Sequence, residues 1–314
     1  MAFELKNRRF SDVMLAPMAG VTDAPFRAMV RKFGGELLFS EMILADSLAR
    51  AHKRTTEMAM PDETDAPIAI QLEGRNPDTM AAAARIAERH AAFIDLNMGC
   101  PVNKIAKAGG GSGLMRDEEL AEKIVRAVVD AVKVPVTVKF RLGWDEESKN
   151  FADFGKRMEQ AGASAVILHA RTREQQYGGK ADWSAFGELK RAVSVPVVAN
   201  GDIKTKADAD FVKSEYGADA VMIGRQALGR PWVLAEVSGR AVVRPPVVET
   251  VLEHLELMQK YYGAKAIFIA RKHIAWYSVG MNGGAAFRAS VNQATDAESV
   301  KMLIRDFFGG ANGG

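Results

Sequence analysis

The only cysteine of this 314-residue chain, Cys100, stands in the run N-M-G-C-P at 97–101, with the glycine-rich stretch K-A-G-G-G-S-G following at 107–113. A lone cysteine is ordinarily a small buried hydrophobe. On a turn that ends a buried strand, beside a loop free in φ and ψ, it can do chemistry. An unperturbed thiol has a pKa near ~8.5, so at neutral pH it is mostly protonated and can donate a proton without an activating base. A nucleophilic thiolate would instead want a nearby histidine or another cation, and N-M-G-C-P supplies none locally. The glycines at 109, 110, 111 and 113 predict a segment that closes over a bound group, or a plain surface turn.

A second set of residues marks the ends of apolar runs. Glu41, Gln71, Asn97, Lys139, His169, Asn200 and the pair Gly224-Arg225 all sit at or just beyond such an end. An amide, an ammonium, an imidazole and a Gly-Arg turn converging on one mouth would suit a large polar ligand with a flat ring and a charged tail. Glycine lets backbone N–H groups approach an anion, and Arg225 can add a charge-assisted contact, so A-N-G-D-I and I-G-R-Q-A reads as a phosphate site. Lys139, at the end of V-T-V-K-F, would favour negative charge developing on a ring such as a reduced flavin. Gln71 offers an acceptor and two donors, suited to a pyrimidine-like edge. Each has a plainer alternative: a surface lysine, a structural turn, a satisfied histidine.

The elements that must carry these residues repeat along the chain. Apolar or β-branched runs occur at 13–17, 37–41, 68–72, 93–97, 134–140, 165–169, 195–200 and 220–224, each followed by a charged segment of helical spacing. Pro77 opens one such helix, and Leu120, Ile124, Val128 and Val132 form one face of another. Nearly continuous apolar strands are buried on both faces, as in a parallel sheet covered by helices. Repetition of this unit over about 230 residues predicts an α/β fold, a closed (β/α)8 TIM barrel, whose active site lies where the strands finish. The open doubly wound alternative would want a G-x-G-x-x-G turn after the first strand, where this chain has A-P-M-A-G.

Composition bounds the rest. Hydrophobic residues at 48% and charged residues at 26% are those of a globular protein. One cysteine and no C-x-x-C or H-E-x-x-H spacing lead us to expect no metal and a reducing compartment. The first residues lack a signal-peptide core and no run is long enough to span a bilayer, so a cytoplasmic protein with no membrane partner is expected. A net charge of +3 does not by itself argue for nucleic acid. After Arg244-Pro245-Pro246 the pattern becomes helical, which divides the chain into a barrel at 1–244 and a small helical domain at 245–314. There Lys265, Arg271, Lys272 and His273 are interleaved with Phe268, Trp276 and Tyr277, either a phosphate-contacting face or an ordinary solvated one.

The motifs A-P-M-A-G-V-T-D-A-P-F-R, I-Q-L-x-G, N-M-G-C-P-V-N-K-I, V-K-F-R-L-G, H-A-R-T-R-E-Q-Q-Y-G-G-K-A-D-W, V-A-N-G-D-I and M-I-G-R-Q-A-L-G-R-P-W together resemble the tRNA-dihydrouridine synthases, most of all the bacterial B-type enzymes. The resemblance implies FMN-dependent reduction of particular tRNA uridines, with NADPH as reductant, in a protein expected to act as a monomer. It places Pro17, Met18 and Ala19 on the flavin face and Gln71 and Lys139 at its ring. His169, Asn200, Gly201, Asp202, Gly224 and Arg225 would hold the ribityl chain and phosphate. Cys100 would be the general acid that protonates C5 of uracil as hydride reaches C6. Asn97, Arg171, Arg271 and Lys272 are its substrate candidates, and the helical domain would bind tRNA. The sequence departs from the family pattern at Ala170, usually glycine, at Glu73, usually apolar, and at Gly110 and Gly113, more often alanine. A flavin barrel acting on a free pyrimidine or small enone, and an RNA-binding protein without redox function, are the other readings.

Overall fold

In a computed structural model of the chain, which describes residues 2–6, 8–61 and 63–310, each of the eight apolar runs forms a strand. They are β1 (Val13–Leu15), β2 (Leu38–Phe39), β3 (Ile68–Glu73), β4 (Phe93–Met98), β5 (Val136–Arg141), β6 (Ala165–His169), β7 (Val197–Asn200) and β8 (Ala220–Ile223). All pair in parallel with their sequence neighbours, β8 pairs with β1, and a bridge between Met14 and Leu37 closes the ring. This is a (β/α)8 barrel. The connecting helices include α1 (Ala24–Lys32), α2 (Ala45–Ala49), α3 (Pro77–Ala87), α4 (Glu118–Ala131), α5 (Phe151–Gln160), α6 (Ser184–Ala192), α7 (Lys206–Tyr216) and the short α8 (Val233–Val237). Their starts follow local chemistry: Asp23, Asn76 and Asp117 cap α1, α3 and α4 by accepting a backbone N–H three residues on.

Strand parity sorts the side chains. Because successive residues point to opposite faces, the register pairs Gln71 with Asp95, Asp95 with Thr137, Asn97 with Lys139, Arg141 with His169 and Asn200 with His169 on one face. Below them on that face Met14, Phe39, Ala69, Phe93, Ala165, Ile167, Val198, Ala220 and Met222 form an apolar cluster. The interior is therefore a greasy plug at the strand starts and a polar layer at the strand ends. Phe3 and Leu5 of an N-terminal hairpin (Ala2–Leu5 paired with Arg8–Ser11) are buried in the same plug. Sequence reading gave those residues no element, since a two-strand ribbon this short carries little periodicity.

Beyond the exposed prolines come α9 (Val247–Tyr262), α10 (Ala266–Tyr277), α11 (Gly284–Gln293) and α12 (Ala297–Phe308), which share an apolar cluster of their own. The first two of these helices are separated by a break at Gly263, with φ +57°. They dock on the barrel through polar contacts: Tyr262 donates to the Asp23 carboxylate at 2.8 Å, and Lys32 pairs with Glu253. Gly229 lets the β8 loop touch α10, since a Cβ there would meet the Trp276 carbonyl at 2.5 Å. His273, grouped with the cations by sequence, faces the other way: it is 1% exposed and packs on Phe26 and His254. It cannot contact phosphate from there.

Burial holds His254 down to about 3 and His273, also facing His254 and Lys272, to about 2. Groups depressed in this way stabilise the fold fully above the unfolded histidine value of about 6.5, and that stability is lost as pH falls toward the folded values. Asp23 has the opposite sign. Desolvation lifts it to about 6, so its contribution is greatest in acid and is lost as pH rises through 6. The histidines dominate, at about 2 kcal/mol each by about pH 5. Urea midpoints should fall from pH 7 to about pH 5, and His273→Phe should flatten that slope; a variant with the parent slope would rule out this origin.

Candidate active site

Asp95 organises the polar layer. It is fully buried in mid-strand, where Thr137 Oγ1 donates to one oxygen at 2.5 Å and Gln71 Nε2 to the other at 2.7 Å. Gln71 Oε1 accepts from Asn97 Nδ2 at 2.8 Å. Asn97 Oδ1 then accepts two backbone N–H groups, from Gly99 at 3.2 Å and Cys100 at 2.9 Å. One chain of hydrogen bonds thus runs from a buried carboxylate to the turn that carries the thiol. Burial disfavours both the Asp95 carboxylate and the Lys139 ammonium, while their mutual attraction favours both charges. Lys139 Nζ donates to Asn200 Oδ1 at 3.0 Å, and Asn200 Nδ2 to the Met222 carbonyl at 2.8 Å, extending the layer to β7 and β8.

The thiol is half-buried. Its pKa is raised, first by desolvation and also by Glu73, against the lowering influence of the Val102 backbone and Arg141. It is therefore protonated at neutral pH, as a proton donor requires. The glycine segment behind it does not project as a loose flap. Gly111–Arg116 forms a 3-10 turn whose first five residues are buried, and Ser112 binds the Cys100 carbonyl through its N–H at 3.1 Å and its hydroxyl at 2.9 Å. Here glycine serves close approach: a Cβ on Gly111, at φ +50°, would sit 2.8 Å from Cys100 Cβ.

Across the mouth the loops after β6, β7 and β8 meet. Arg171 is buried and spends its donors on the carbonyls of Gly178 and Gly179, at 3.0 and 2.9 Å, and on Asp202 at 2.6 Å. Asp202, at φ +55°, also receives the Ala181 N–H at 2.9 Å and lies 3.3 Å from Arg225. Arg225 stays half-exposed over the Tyr177 ring. His169 is held well below the ordinary histidine range by burial and by Arg141, Lys139, Arg171 and Arg225, so it is neutral. Gly201 and Gly224 turn the backbone beside these cations, and a Cβ on Gly224 would meet only Ala16 and Met18, at 3.7 and 3.9 Å. Met18 leads the tight turn that ends at Thr22, and the Gly20 N–H on that turn donates to Glu41.

Asn97, Gln71, Lys139, His169, Asn200, Asp202, Gly224 and Arg225 are thus gathered at one end of the barrel with Cys100. Arg271 and Lys272 lie apart on α10. Lys272 Nζ reaches over Gly20, and a groove of about 600 Å³ between α10 and α11 is lined by Phe268, Arg271, Lys272, Trp276, Val279 and Arg288. Two organisers escaped sequence reading. Asp95 was visible only as a charge inside an apolar run. Arg141, fully buried, ties the Gly99, Thr172 and Gln176 carbonyls together at 2.8–2.9 Å. Among the described residues no group of three His, Cys, Asp or Glu side chains could hold a metal ion, and no helix is long and apolar enough to cross a membrane.

Comparison with known proteins matches residues 14–311 to the dihydrouridine synthase (Dus) family model. This chain belongs to the dihydrouridine synthase family. It is 44% identical to tRNA-dihydrouridine synthase B of Xanthomonas axonopodis pv. citri, covering 94% of this chain and 92% of the relative. It is 40% identical to the protein of the same name from Pseudomonas aeruginosa, covering 98% and 94%. Among solved structures, a 2-naphthoyl-CoA reductase complex superposes with TM-score 0.60 at 11% identity, over 76% of this chain and 52% of that one. Mandelate oxidase gives 0.52 at 17% identity, over 76% of each. At such identities these neighbours speak for the barrel fold alone.

Within this chain the Asn97 side chain closes the link between Asp95 and the cysteine turn. Asn97→Ala would leave Gln71 Oε1 and two backbone N–H groups without their partner, a cost of about 2–3 kcal/mol. Urea denaturation should register that loss, and alkylation of Cys100 should accelerate as its turn loosens. An unchanged midpoint would show that the turn is held by other contacts.

Proposed function

We propose that this chain reduces uridine in tRNA to 5,6-dihydrouridine, with FMN as cofactor and NADPH as reductant. Family membership and the names of the similar proteins support the reaction class. The observation that carries the reading is a protonated thiol, tied through Asn97 and Gln71 to the barrel interior, on the same rim as a half-buried lysine and a neutral histidine. FMN fits these residues. Lys139, half-buried beside amides, would face the ring, with Gln71 below it and Pro17, Met18 and Ala19 against its face. Neutral His169 and Asn200 can hydrogen-bond hydroxyls of the ribityl chain, and a Cβ on Gly224 would make only ordinary contact with Ala16 and Met18, so the turn there is uncrowded. Arg225, with the N–H groups at Gly201, Asp202 and Gly224, would bind the phosphate. The Asp202 carboxylate would repel phosphate itself, so it acts by orienting Arg225 and Arg171.

When bound, FMN would supply hydride to C6 of uracil. The protein's part is then to place the base and deliver a proton to C5 from Cys100. Asn97 and Arg171 spend their groups on loops, so we assign them to positioning the substrate through those loops. Residues 1–244 form the catalytic unit in this reading and 245–314 the tRNA-binding unit, acting as a cytoplasmic monomer. The groove beside Arg271 and Lys272 opens near the β1 loop, and its aromatic and basic lining favours a large RNA over a free pyrimidine.

Cys100→Ala should keep FMN and still let NADPH reduce it. Single-turnover re-oxidation by tRNA should slow about 10²–10⁴-fold, the usual contribution of a general acid. A rate within about twofold of the parent would defeat the assignment. Arg225→Ala should weaken FMN retention by about one to two decades through loss of a charge-assisted contact. Flavin content that survives dilution unchanged would place the phosphate elsewhere.

A further inference from the structure

Glu73 is a charged residue where the family pattern is apolar, and it is one of the few carboxylates buried in the barrel, at 7% exposed. It is the last residue of β3 and has the parity of Ala69 and Gln71, so it stands on the interior face one step above Gln71. Its carboxylate lies under the glycine segment. A Cβ built on Gly110 would fall on Glu73 Oε1, so any side chain at 110 is incompatible with the glutamate where it stands. The backbone N–H of Gly111 favours the charge of the same carboxylate. Gly111 in turn lies against Cys100, and Ser112 holds the Cys100 carbonyl through two hydrogen bonds. The neighbouring Gly109 rests on the Arg75 guanidinium, where a Cβ would lie 3.0 Å from Arg75 Nε. Two departures from the family pattern, Glu73 and Gly110, therefore meet at one contact.

We infer that Glu73 is a positioning residue for the thiol: it occupies the space vacated by Gly110, and so seats the glycine segment behind Cys100 while presenting a negative charge to the sulfur. The inference rests on Cys100 being the proton donor. A general acid must hold its proton until hydride moves, and Arg141, approaching from β5, pulls the thiol toward the thiolate. Glu73 works against that pull from β3. The carboxylate has its own balance: burial and Asp46 of α2 oppose its charge, whereas the Gly111 amide and Arg75 favour it. Electrostatics and packing thus act through one side chain, and substitutions can separate them.

The chain has one cysteine, so thiol chemistry in the full-length protein reports on Cys100 alone. Glu73→Gln keeps the size of the side chain beside Gly110 and removes the charge. Its thiol titration, followed by thiolate absorbance, should move to lower pH, and alkylation by iodoacetamide at neutral pH should quicken roughly three- to tenfold. A titration midpoint equal to the parent's would overturn the electrostatic half. Gly110→Ala should expose the 103–116 segment to limited proteolysis in the parent background, and Glu73→Ala should rescue it by removing the oxygen in the way. Additive effects in the double variant would overturn the packing half. Re-oxidation of the reduced flavin by tRNA separates this inference from the reading beneath it. If Glu73→Gln shifts the thiol and the pH profile of re-oxidation follows, both stand. If the thiol shifts while Cys100→Ala re-oxidises like the parent, the contact stands and the general-acid role falls.

Discussion

A carboxylate closed inside a barrel must be compensated by hydrogen bonds or by a cation, because it has lost its water. In this chain the compensation of Asp95 lays out the site. Thr137 and Gln71 take its two oxygens, and Lys139 supplies the opposite charge. Gln71 is then fixed with its carbonyl toward Asn97, and Asn97 with its carbonyl toward the Gly99 and Cys100 amides. Every amide in this relay has its orientation set by the neighbour nearer the carboxylate. The position of the thiol turn is therefore determined from the barrel interior outward, by rigid strands rather than by the loop itself.

Packing at the rim follows the same economy of space. Glycines 111 and 113 sit where a Cβ would strike Cys100 or the Ala106 carbonyl, so the segment that looks freest in sequence is among the most tightly packed around the site. Gly229 does the equivalent for the C-terminal helices by letting the β8 loop lie on the α10 backbone. Together with the Tyr262–Asp23 contact, this sets Lys272 over the β1 loop. The groove on α10 and the barrel mouth are thereby held in a fixed relation.

The fold was legible because buried parallel strands advertise themselves as apolar runs, and all eight runs became strands. The polar strand ends were legible for the same reason, since parity and position send them to one mouth. Direction was harder to read. Arg171 and Asn97 look like ligand-binding groups by type, yet their donors are committed within the protein. His273 follows two cations on its helix and still turns inward, because the barrel covers that face of α10. Spacing along one helix cannot show which face a separate layer will cover. Asp95 was equally hidden: one charge in an apolar run reads as a strand terminus until the register shows it facing in at mid-strand.

The charge distribution across the mouth has a chemical logic of its own. Lys139, Arg171 and Arg225 cluster around the strand ends of β5 to β8 and, after burial and Arg141, add to what keeps His169 neutral. Asp202 already pairs with Arg171 and Arg225, and Asp95 faces Lys139, so these cations are partly balanced within the protein. The thiol sits at the end of β4, where Glu73 faces it and Arg141, nearest of the cations, spends its donors on three carbonyls. A proton donor placed among unpaired cations would lose its proton to bulk before reaction; one placed beside a carboxylate in a half-buried turn retains it. In the proposed reaction, separating a cationic half from a proton-holding half of one ring of strands would let a single rim stabilise developing negative charge while keeping an acid protonated at neutral pH.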